Sequence, residues 1–572
     1  MHICIFILIN DLLMKRNPVT IAVLLLTTLT LNAQKEDVPR GWHLLDKETD
    51  GYYGIDLKKA YDFIDTQKLK SKQVIVAVID SGIDTTHEDL KAVLWTNPGE
   101  IPGNGIDDDN NGYIDDIHGW NFVGGRDGRN VKDNSSEAIR VYYAYKDKFG
   151  NVPDSASLSK EDKDLYAMWK KAKADVGEID PEQLLNLMLL KSVFNDALSV
   201  DSTIKRVLNK TDYSGKDVRD MKTNDIAEKR AREKVLRLYF GLQVDLEDSS
   251  KELYSELQEQ IEGEEKKNEA KKKAPKDYRA EIVKDNYNDF NDRFYGNNDV
   301  MANTPLHGTH VSGIIGAVRN NGIGVDGVAD NVKIMLIRAI PDGDEYDKDV
   351  ALSIRYAVDN GAQVINMSFG KYLSPQKQWV DDAVKYAESK GVLLVAAAGN
   401  EKHDVDTIPH YPNPYLKKDS RKVSNWITVG ASGDPKAGGL TAYFSNYGKK
   451  DVDVFAPGVK IYSTVPGGNT YASLQGTSMA SPVVTGLAAL IMEYFPTLSA
   501  QQVKYVIEKS VTKTDLQAKD PGNEKMVNFS DLSNSGGIVN AYEAVKLAAT
   551  LKGERNSQPV KTKSTVNQKI KG

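Results

Sequence analysis

The sequence predicts an α/β fold with a mostly parallel central sheet, helices on both faces and an inserted α-helical subdomain. Two observations lead to this prediction. Continuous apolar runs such as "VIVAVID" recur along the chain, and helical patterns lie between several of them. Strands that alternate with helices at this spacing form parallel sheets through right-handed crossovers. Between residues 135 and 292 the apolar runs disappear and charged residues become denser, which predicts a separate helical insertion.

The elements can be assigned in chain order. We interpret as strands the runs VIVAVID, VKIMLIRAI, QVINMSFG, VLLVAAAGN, WITVGAS and VDVFAPG. The segments VALSIRYAVDNGA and WVDDAVKYAESKG have helical periodicity, and Gly391 ends the second of them. The charged region contains the helical patterns EQLLNLMLLKSVFNDAL and AREKVLRLYFGLQVDL. Functional side chains are expected beyond the carboxyl ends of the parallel strands.

The N-terminus predicts export. Residues 1–33 are interpreted as a signal peptide whose true start is Met14, since a basic start and an apolar run from there lead to the small residue Ala33. The alternative is a membrane anchor, but Val19 to Leu31 is shorter than the ~20 residues that a spanning helix needs. We therefore predict an exported protein, periplasmic or extracellular, that has no membrane attachment after signal removal.

Composition narrows the functional classes. Cys4 is the only cysteine and lies in the removable segment, so the mature chain has no disulfide and no thiol nucleophile. The net charge of −7 does not favour nucleic acid as a partner. We predict a monomer with two core parts, residues 34–134 and 293–550, followed by a polar disordered tail over residues 551–572.

Four polar residues stand at predicted strand ends or helix starts. Asp80 closes "VIVAVID", His307 begins "HGTHVSG", Ser478 begins a helix in "QGTSMASP", and Asn400 ends "AAAGN". Serine catalysis of acyl transfer needs a nucleophile, an imidazole base, an orienting carboxylate and oxyanion donors, and these residues supply each type. The pair His307 and His310 is equally compatible with metal ligation or with a structural helix start.

Several long motifs decide between these alternatives. The segments AVIDSGIDTTHEDL, HGTHVSGIIGAV, INMSFG, VAAAGN and GTSMASPVVTGLAAL closely resemble the subtilisin-like serine peptidases, or subtilases. The resemblance covers about residues 42–134 and 293–549. It implies a three-layer subtilisin-like fold and a serine endopeptidase that hydrolyses peptide bonds of peptide or protein substrates, with no organic cofactor.

The resemblance also implies roles for individual residues. His307 is then the base that takes the proton from Ser478, Asp80 orients its ring, and Asn400 with the Ser478 amide forms the oxyanion hole. His310 is then structural, and zinc ligation is disfavoured. The substrate backbone and the side chain before the scissile bond are expected to bind between two segments, Ser368, Phe369 and Gly370 on one side and Ala397, Ala398 and Gly399 on the other. These small walls predict a roomy apolar slot, which the polar loop after Asn400 can reshape.

Calcium is the predicted metal. Asp107, Asp109, Asn111 and Asp115 occupy positions one, three, five and nine of a partial calcium loop, in which His118 replaces the usual glutamate. The alternative is an acidic turn. The family resemblance implies a second, weaker site at Asp89, completed by Asn321.

Two features depart from the family pattern. The helical insertion separates Asp80 from His307, and the segment from Gln34 to Gln73 is too short to hold both the usual folding propeptide and the mature N-terminal segment. The alternative functions are a catalytically silent peptide-binding protein of the same fold and a metal-dependent hydrolase. If the helices of the insertion lean over the substrate groove, the insertion restricts access to it; otherwise it is a peripheral decoration or a docking surface.

Overall fold

The computed structural model describes residues 38–177, 181–242, 246, 249–437 and 439–555. The predicted signal peptide and the tail from residue 556 onward lie outside the described residues. The described chain divides into two compact units. One unit comprises residues 135–277, and the other comprises residues 38–134 and 278–555.

Each predicted apolar run contains a strand of the larger unit, and the unit has further short strands between them. The strands are β1 Val74–Asp80, β2 Gly119–Asn121, β3 Val332–Arg338, β4 Val364–Met367, β5 Leu393–Ala397, β6 Tyr415–Leu416, β7 Arg421–Lys422, β8 Trp426–Ser432, β9 Val454–Pro457, β10 Ile461–Val465, β11 Thr470–Leu474, β12 Thr512–Lys513, β13 Gln517–Lys519, β14 Met526–Asn528 and β15 Gly537–Ile538. Nine of them form one sheet in the order β12-β15-β9-β8-β5-β4-β1-β3-β2. Every neighbouring pair in this sheet is parallel except β12 and β15 at one edge.

Helices occur in both units. They are α1 Leu57–Thr66, α2 Glu137–Phe149, α3 Lys160–Val176, α4 Pro181–Leu198, α5 Asp201–Leu208, α6 Gly215–Asp220, α7 Ile226–Gly241, α8 Ser250–Lys272, α9 Tyr278–Ile282, α10 Leu306–Gly316, α11 Asp347–Asp359, α12 Lys377–Ser389, α13 Thr477–Tyr494, α14 Ala500–Lys509 and α15 Ala541–Ala548. In the part of the chain that the structure describes, none of these helices combines the length and apolar character that crossing a membrane requires.

Helices cover both faces of the sheet. Successive side chains of each strand point to opposite faces, so each strand contributes to two cores. Val76 and Val78 of β1 pack in a core with residues of α10, α13, α14 and α15. Ala77 and Ile79, which point to the opposite face, pack in a second core with residues of α11 and α12. The predicted three-layer α/β fold with a mostly parallel sheet is therefore confirmed.

The unit of residues 135–277 is helical and has its own apolar core. Phe194 of α4, Val235 and Leu238 of α7 and Leu257 of α8 are buried together in it. Residues 278–292, which the sequence assigned to the insertion, pack with the larger unit. Arg279 there is buried and forms ion pairs with Asp285 and Asp349.

Candidate active site

Asp80 and His307 meet at the carboxyl end of β1. Asp80, the last residue of this central strand, is 2% exposed. His307 is the second residue of α10, and its Nδ1 lies 2.8 Å from Oδ1 and 3.0 Å from Oδ2 of Asp80. A Cβ on Gly308 would lie 2.3 Å from the Gly82 carbonyl oxygen, so only glycine lets the helix come this close to the strand end. The structure thus brings the predicted carboxylate and base into hydrogen-bond contact.

Ser478 lies at the start of the long buried helix α13. It is the second residue of that helix, where the backbone N–H groups have no partner within the helix. The Ser478 hydroxyl donates to the carbonyl oxygen of Ser368 at 3.1 Å, and the Ser368 hydroxyl donates to the carbonyl oxygen of Ser478 at 2.9 Å. These reciprocal bonds hold the start of α13 against the segment that follows β4.

Asn400 is held by the residue that precedes Ser478. Its Oδ1 accepts hydrogen bonds from the backbone N–H of Thr477 at 2.9 Å and from the Thr477 hydroxyl at 3.0 Å. Because Oδ1 is occupied in this way, the amide nitrogen Nδ2 points elsewhere. A Cβ on Gly476 would lie 3.5 Å from the Ser478 backbone nitrogen and 3.6 Å from Asn400 Nδ2. Two nitrogen atoms that can donate hydrogen bonds therefore lie close to one small region beside Gly476.

The two predicted substrate segments leave neighbouring strands at the same sheet edge. Met367 at the end of β4 pairs with Ala396 of β5, so Ser368, Phe369 and Gly370 run on beside Ala397, Ala398 and Gly399. The Gly399 N–H donates to the Thr477 hydroxyl at 3.1 Å, which ties the second segment to the start of α13. The space between them differs from the predicted roomy apolar slot, because the imidazole of His410 from the following loop lies against Gly370.

His310 has a position suited to packing. It is fully buried on the inner face of α10, and its Nε2 lies 3.1 Å from the carbonyl oxygen of Ala472. Burial lowers the pKa of His310 to about 3, so the ring is neutral over the ordinary pH range. Within the described residues, the groups of His, Cys, Asp and Glu that could hold a metal ion do not include His310.

The acidic loop contains a candidate metal centre. Ligand atoms of Glu100, Asp109 and Asp116 all lie within 4.8 Å of one another. The pKa of Asp116 is raised to about 6 by burial, although Tyr356 donates a hydrogen bond to this carboxylate. Asp109 belongs to the predicted calcium set. Glu100 was not predicted, because only the folding of the loop brings this isolated glutamate close to the others.

The other predicted ligands in the loop make mainly backbone contacts. Asp107 accepts hydrogen bonds from the N–H groups of Asn111 at 3.0 Å and Gly112 at 2.8 Å. Asp115 accepts hydrogen bonds from the N–H groups of residues 103, 104 and 105. Asn111 Nδ2 donates to Asp109 at 3.2 Å and to Asp116 at 3.0 Å, so its side chain lies beside the cluster of carboxylates formed by Glu100, Asp109 and Asp116.

The second predicted metal pair is also in contact. Asn321 Nδ2 donates to Asp89 Oδ1 at 2.5 Å. The other carboxylate oxygen of Asp89 accepts hydrogen bonds from the Val325 N–H and the Tyr471 hydroxyl, both at 3.2 Å. The hydrogen-bond donors around Asp89 thus account for both of its carboxylate oxygens.

Comparisons with known proteins identify the family of this chain. A family model described as "Subtilase family" matches residues 71–530. A thermophilic serine proteinase of Bacillus sp. (strain AK1) is 44% identical over 186 residues, which are 32% of this chain and 42% of that relative. Thermitase of Thermoactinomyces vulgaris is 38% identical over 256 residues, 44% of this chain and 79% of the relative. Subtilisin DY of Bacillus licheniformis is 43% identical over 211 residues, 36% of this chain and 70% of the relative. The chain thus spans less than half the length of the first relative and more than two thirds of the other two.

Proposed function

Because the chain belongs to the subtilase family and is a serine endopeptidase, we propose that Asp80, His307 and Ser478 form its catalytic triad. The observation that carries this proposal is the contact of His307 Nδ1 with both carboxylate oxygens of Asp80. Such a contact fixes the tautomer in which Nδ1 carries the hydrogen and Nε2 acts as the base. The relatives are named as proteinases or as subtilisins, so a catalytically silent binding protein is not favoured.

The triad performs two acyl transfers. The Ser478 hydroxyl oxygen attacks the scissile carbonyl carbon while its proton passes to His307 Nε2. The carbon–nitrogen bond then breaks, His307 returns the proton to the leaving amine, and an acyl-enzyme ester remains on Ser478. Water, deprotonated by His307, hydrolyses this ester and regenerates the serine. Since the hydroxyl donates to Ser368, the first step requires it to turn towards His307.

The oxyanion of each tetrahedral intermediate is proposed to accept hydrogen bonds from Asn400 Nδ2 and from the Ser478 N–H. Support comes from the convergence of these two donors beside Gly476. Both donors are fixed before substrate arrives, Asn400 by Thr477 and the amide by its place at the start of α13. A single donor of this kind contributes about 10²–10³-fold to the rate of acyl transfer.

The substrate backbone is proposed to bind along Ser368, Phe369 and Gly370 as an added antiparallel strand, opposite Ala397, Ala398 and Gly399. This mode recognises main-chain groups, so it suits peptide and protein substrates of varied sequence. We also propose that the enzyme is exported as a monomer after removal of residues 1–33. Sequencing the N-terminus of the purified protein and measuring its mass in solution test both statements.

Labelling by a fluorophosphonate probe tests the triad. The probe should attach to the wild-type protein at Ser478, whereas Ser478→Ala should not be labelled. Ser478→Ala and His307→Ala should each lose about 10⁶-fold in kcat, the size of loss measured in subtilisin. His310→Ala, if folded, should retain far more activity than His307→Ala. Equal losses in the two folded histidine variants would contradict the assignment of the base.

Calcium is the proposed structural cofactor, and the carboxylate cluster of the acidic loop fits it. Carboxylate oxygens of Glu100, Asp109 and Asp116 would hold the ion, because calcium prefers such oxygen ligands, and the side chain of Asn111 lies beside them. Bound calcium would neutralise the charge of these crowded carboxylates and stabilise the loop. Asp107 and Asp115 order the loop backbone, and Asp89 with Asn321 remains the proposed weaker site.

Thermal unfolding of the inactive Ser478→Ala protein tests this cofactor. Calcium at a hundredfold excess over Kd should raise the free energy of unfolding by ~2.7 kcal/mol relative to chelator. Adding Asp109→Asn should remove most of this increase, whereas Asp89→Asn should remove little. An unfolding temperature that is the same in calcium and in chelator would contradict both sites.

A further inference from the structure

The space between the two substrate segments contains a histidine side chain. A Cβ on Gly370 would lie 2.0 Å from Cε1 and 2.5 Å from Nε2 of His410. A Cβ on Gly399, in the opposite segment, would lie 3.2 Å from the same Nε2. Because the glycines of both segments face one imidazole, the ring of His410 lies between them. Glycine at these two positions leaves room for the ring and not for a deep open slot.

The backbone on either side of His410 is fixed. The N–H of Tyr411 donates to the Lys371 carbonyl oxygen at 2.8 Å, and the N–H of Lys371 donates to the Tyr411 carbonyl oxygen at 2.9 Å. These two bonds join the residue after His410 to the residue after Gly370. Asn413 Nδ2 also donates to the His410 carbonyl oxygen at 2.9 Å. The ring is therefore carried by anchored backbone and not by a freely moving loop tip.

Tyr372 packs against the side of the ring and belongs to a polar network. The ring of Tyr372 packs edge-on against His410 with centroids 5.3 Å apart. The Tyr372 hydroxyl donates to Glu401, and Asn446 Nδ2 donates to the same carboxylate at 3.1 Å and to the Ala398 carbonyl oxygen at 2.8 Å. This network links the two substrate segments across the position of His410. A large substrate side chain would have to displace the imidazole and disturb these contacts.

We propose that His410 determines substrate specificity by restricting the residue before the scissile bond to a small side chain, such as that of alanine. The inference rests on the proposed function, since it takes Ser368 to Gly370 and Ala397 to Gly399 as the walls of the pocket for that residue. A methyl group reaches only the mouth of this pocket. A benzyl group needs the depth that the imidazole occupies.

The test compares two p-nitroanilide tetrapeptides that differ only in alanine or phenylalanine before the scissile bond. The wild-type enzyme should have the higher kcat/KM for the alanine substrate. His410→Gly should raise the phenylalanine-to-alanine ratio of kcat/KM by at least about tenfold, since a single methylene group in an apolar pocket already changes specificity by about 10–200-fold. A wild-type preference for phenylalanine, or an unchanged ratio in folded His410→Gly, would overturn the proposal.

His403→Ala is the matched control. The ring of His403 also packs edge-on against Tyr372, with centroids 5.1 Å apart, and the residue lies in the same loop. This variant should keep the wild-type ratio within about twofold, which corresponds to less than 0.5 kcal/mol. If His410→Gly does not fold, the same ratio is measured for His410→Ser, which should also exceed the wild-type ratio. The wild-type preference for alanine tests the proposal independently of either variant.

Fluorophosphonate labelling separates failure of this inference from failure of the proposed function. A protein that takes up no label and cleaves neither substrate contradicts the triad itself. A protein that labels fully at Ser478 but prefers phenylalanine has the proposed chemistry and a different pocket.

Discussion

Gly476 combines a backbone conformation that side chains disfavour with a place beside Ser478 and Asn400, the proposed nucleophile and oxyanion donor. Its φ is 153°, and a Cβ there would lie within 3.6 Å of both the Ser478 nitrogen and Asn400 Nδ2. A methyl group at this point would compete with the oxyanion for the same two donors. The need for glycine here is therefore chemical as well as conformational.

We predict that Gly476→Ala lowers kcat by about 10²-fold, comparable to the loss of one oxyanion donor, with a much smaller change in KM. Steady-state kinetics on a tetrapeptide p-nitroanilide measure both constants. Gly391→Ala is the control, because Gly391 also has a positive φ of 68° but a Cβ there meets no atom within 4 Å. It should lose stability without losing kcat. A Gly476→Ala protein whose kcat equals that of Gly391→Ala would contradict the role of Gly476 beside the oxyanion donors.

His43 predicts how stability depends on pH. It is buried, and neither ring nitrogen has a hydrogen-bond partner among the residues described. Burial lowers the pKa of His43 from 6.5 to about 4, so the folded state keeps the ring neutral while the unfolded state binds a proton below pH 6.5. The stability contributed by the neutral ring is thus present above pH 6.5 and is lost as the pH falls towards 4.

His43→Leu removes this titration and should flatten the loss of stability between pH 7 and pH 5. A single histidine of this kind changes the free energy of unfolding by up to about 1.4 kcal/mol for each pH unit in that window. Denaturant unfolding of Ser478→Ala, with and without His43→Leu, measures the difference. Parallel curves for the two proteins against pH would contradict the role of His43.

Single residues differed in how far the sequence could predict them. Asp80, His307 and Asn400 could be proposed as site residues from the sequence because each lies at a strand end or helix start within a recognisable motif. Glu100 and His410 were missed because the residues around each of them come close only when the loops fold. An isolated glutamate and a loop histidine carry no pattern of spacing that marks a metal cluster or a filled pocket.

At the scale of the element, the start of α13 organises the candidate site. Thr477 donates to Asn400 Oδ1 through both its N–H and its hydroxyl, and the hydroxyl accepts the Gly399 N–H. One side chain therefore orients the proposed oxyanion donor and fixes a substrate segment. Thr477 acts through these neighbours and is a positioning residue.

We predict that Thr477→Val lowers kcat by about tenfold, because the Asn400 amide loses the hydroxyl hydrogen bond, of about 1–1.5 kcal/mol, and keeps only the bond from the backbone N–H. Thr477→Ser keeps the hydroxyl and should restore most of the activity. In an Asn400→Ala background, Thr477→Val should have a much smaller further effect. Additive losses in the double variant would mean that Thr477 acts independently of Asn400.

The long elements were largely predictable, because continuous apolar runs indicate the buried strands and helical periodicity indicates the helices. Buried parallel strands are apolar on both faces, so β1, β3, β4, β5 and β8 appear as continuous runs in the sequence. Short strands such as β2 and β15, of three and two residues, have no such run and depend on pairing with distant neighbours. The sequence pattern therefore predicts the long elements, whereas the short strands at the sheet edges cannot be predicted from it.

At the scale of the whole molecule, the insertion and the larger unit each have apolar cores of their own. Residues 187–261 contribute a separate apolar core, and the larger unit has its own cores on both faces of the sheet. The residues that flank the insertion at each end also make contacts within the larger unit. Asn134 N–H donates to the Asp342 carbonyl oxygen at 2.7 Å, and buried Arg279 pairs with Asp349.

Deleting residues 135–277 and joining Asn134 to Tyr278 through a glycine-serine linker should therefore leave a folded enzyme. We predict that this protein unfolds cooperatively, takes up the fluorophosphonate probe at Ser478 and cleaves a tetrapeptide p-nitroanilide at a rate near that of the full chain.

Casein, assayed beside the peptide, tests whether the insertion restricts access to the substrate groove. If it does, the casein-to-peptide rate ratio rises on deletion, because a large substrate gains more than a small one. An unchanged ratio in a folded, labelled deletion protein would contradict restriction and favour a peripheral or docking role. Loss of labelling with loss of cooperative unfolding would instead show that the larger unit needs the insertion to fold.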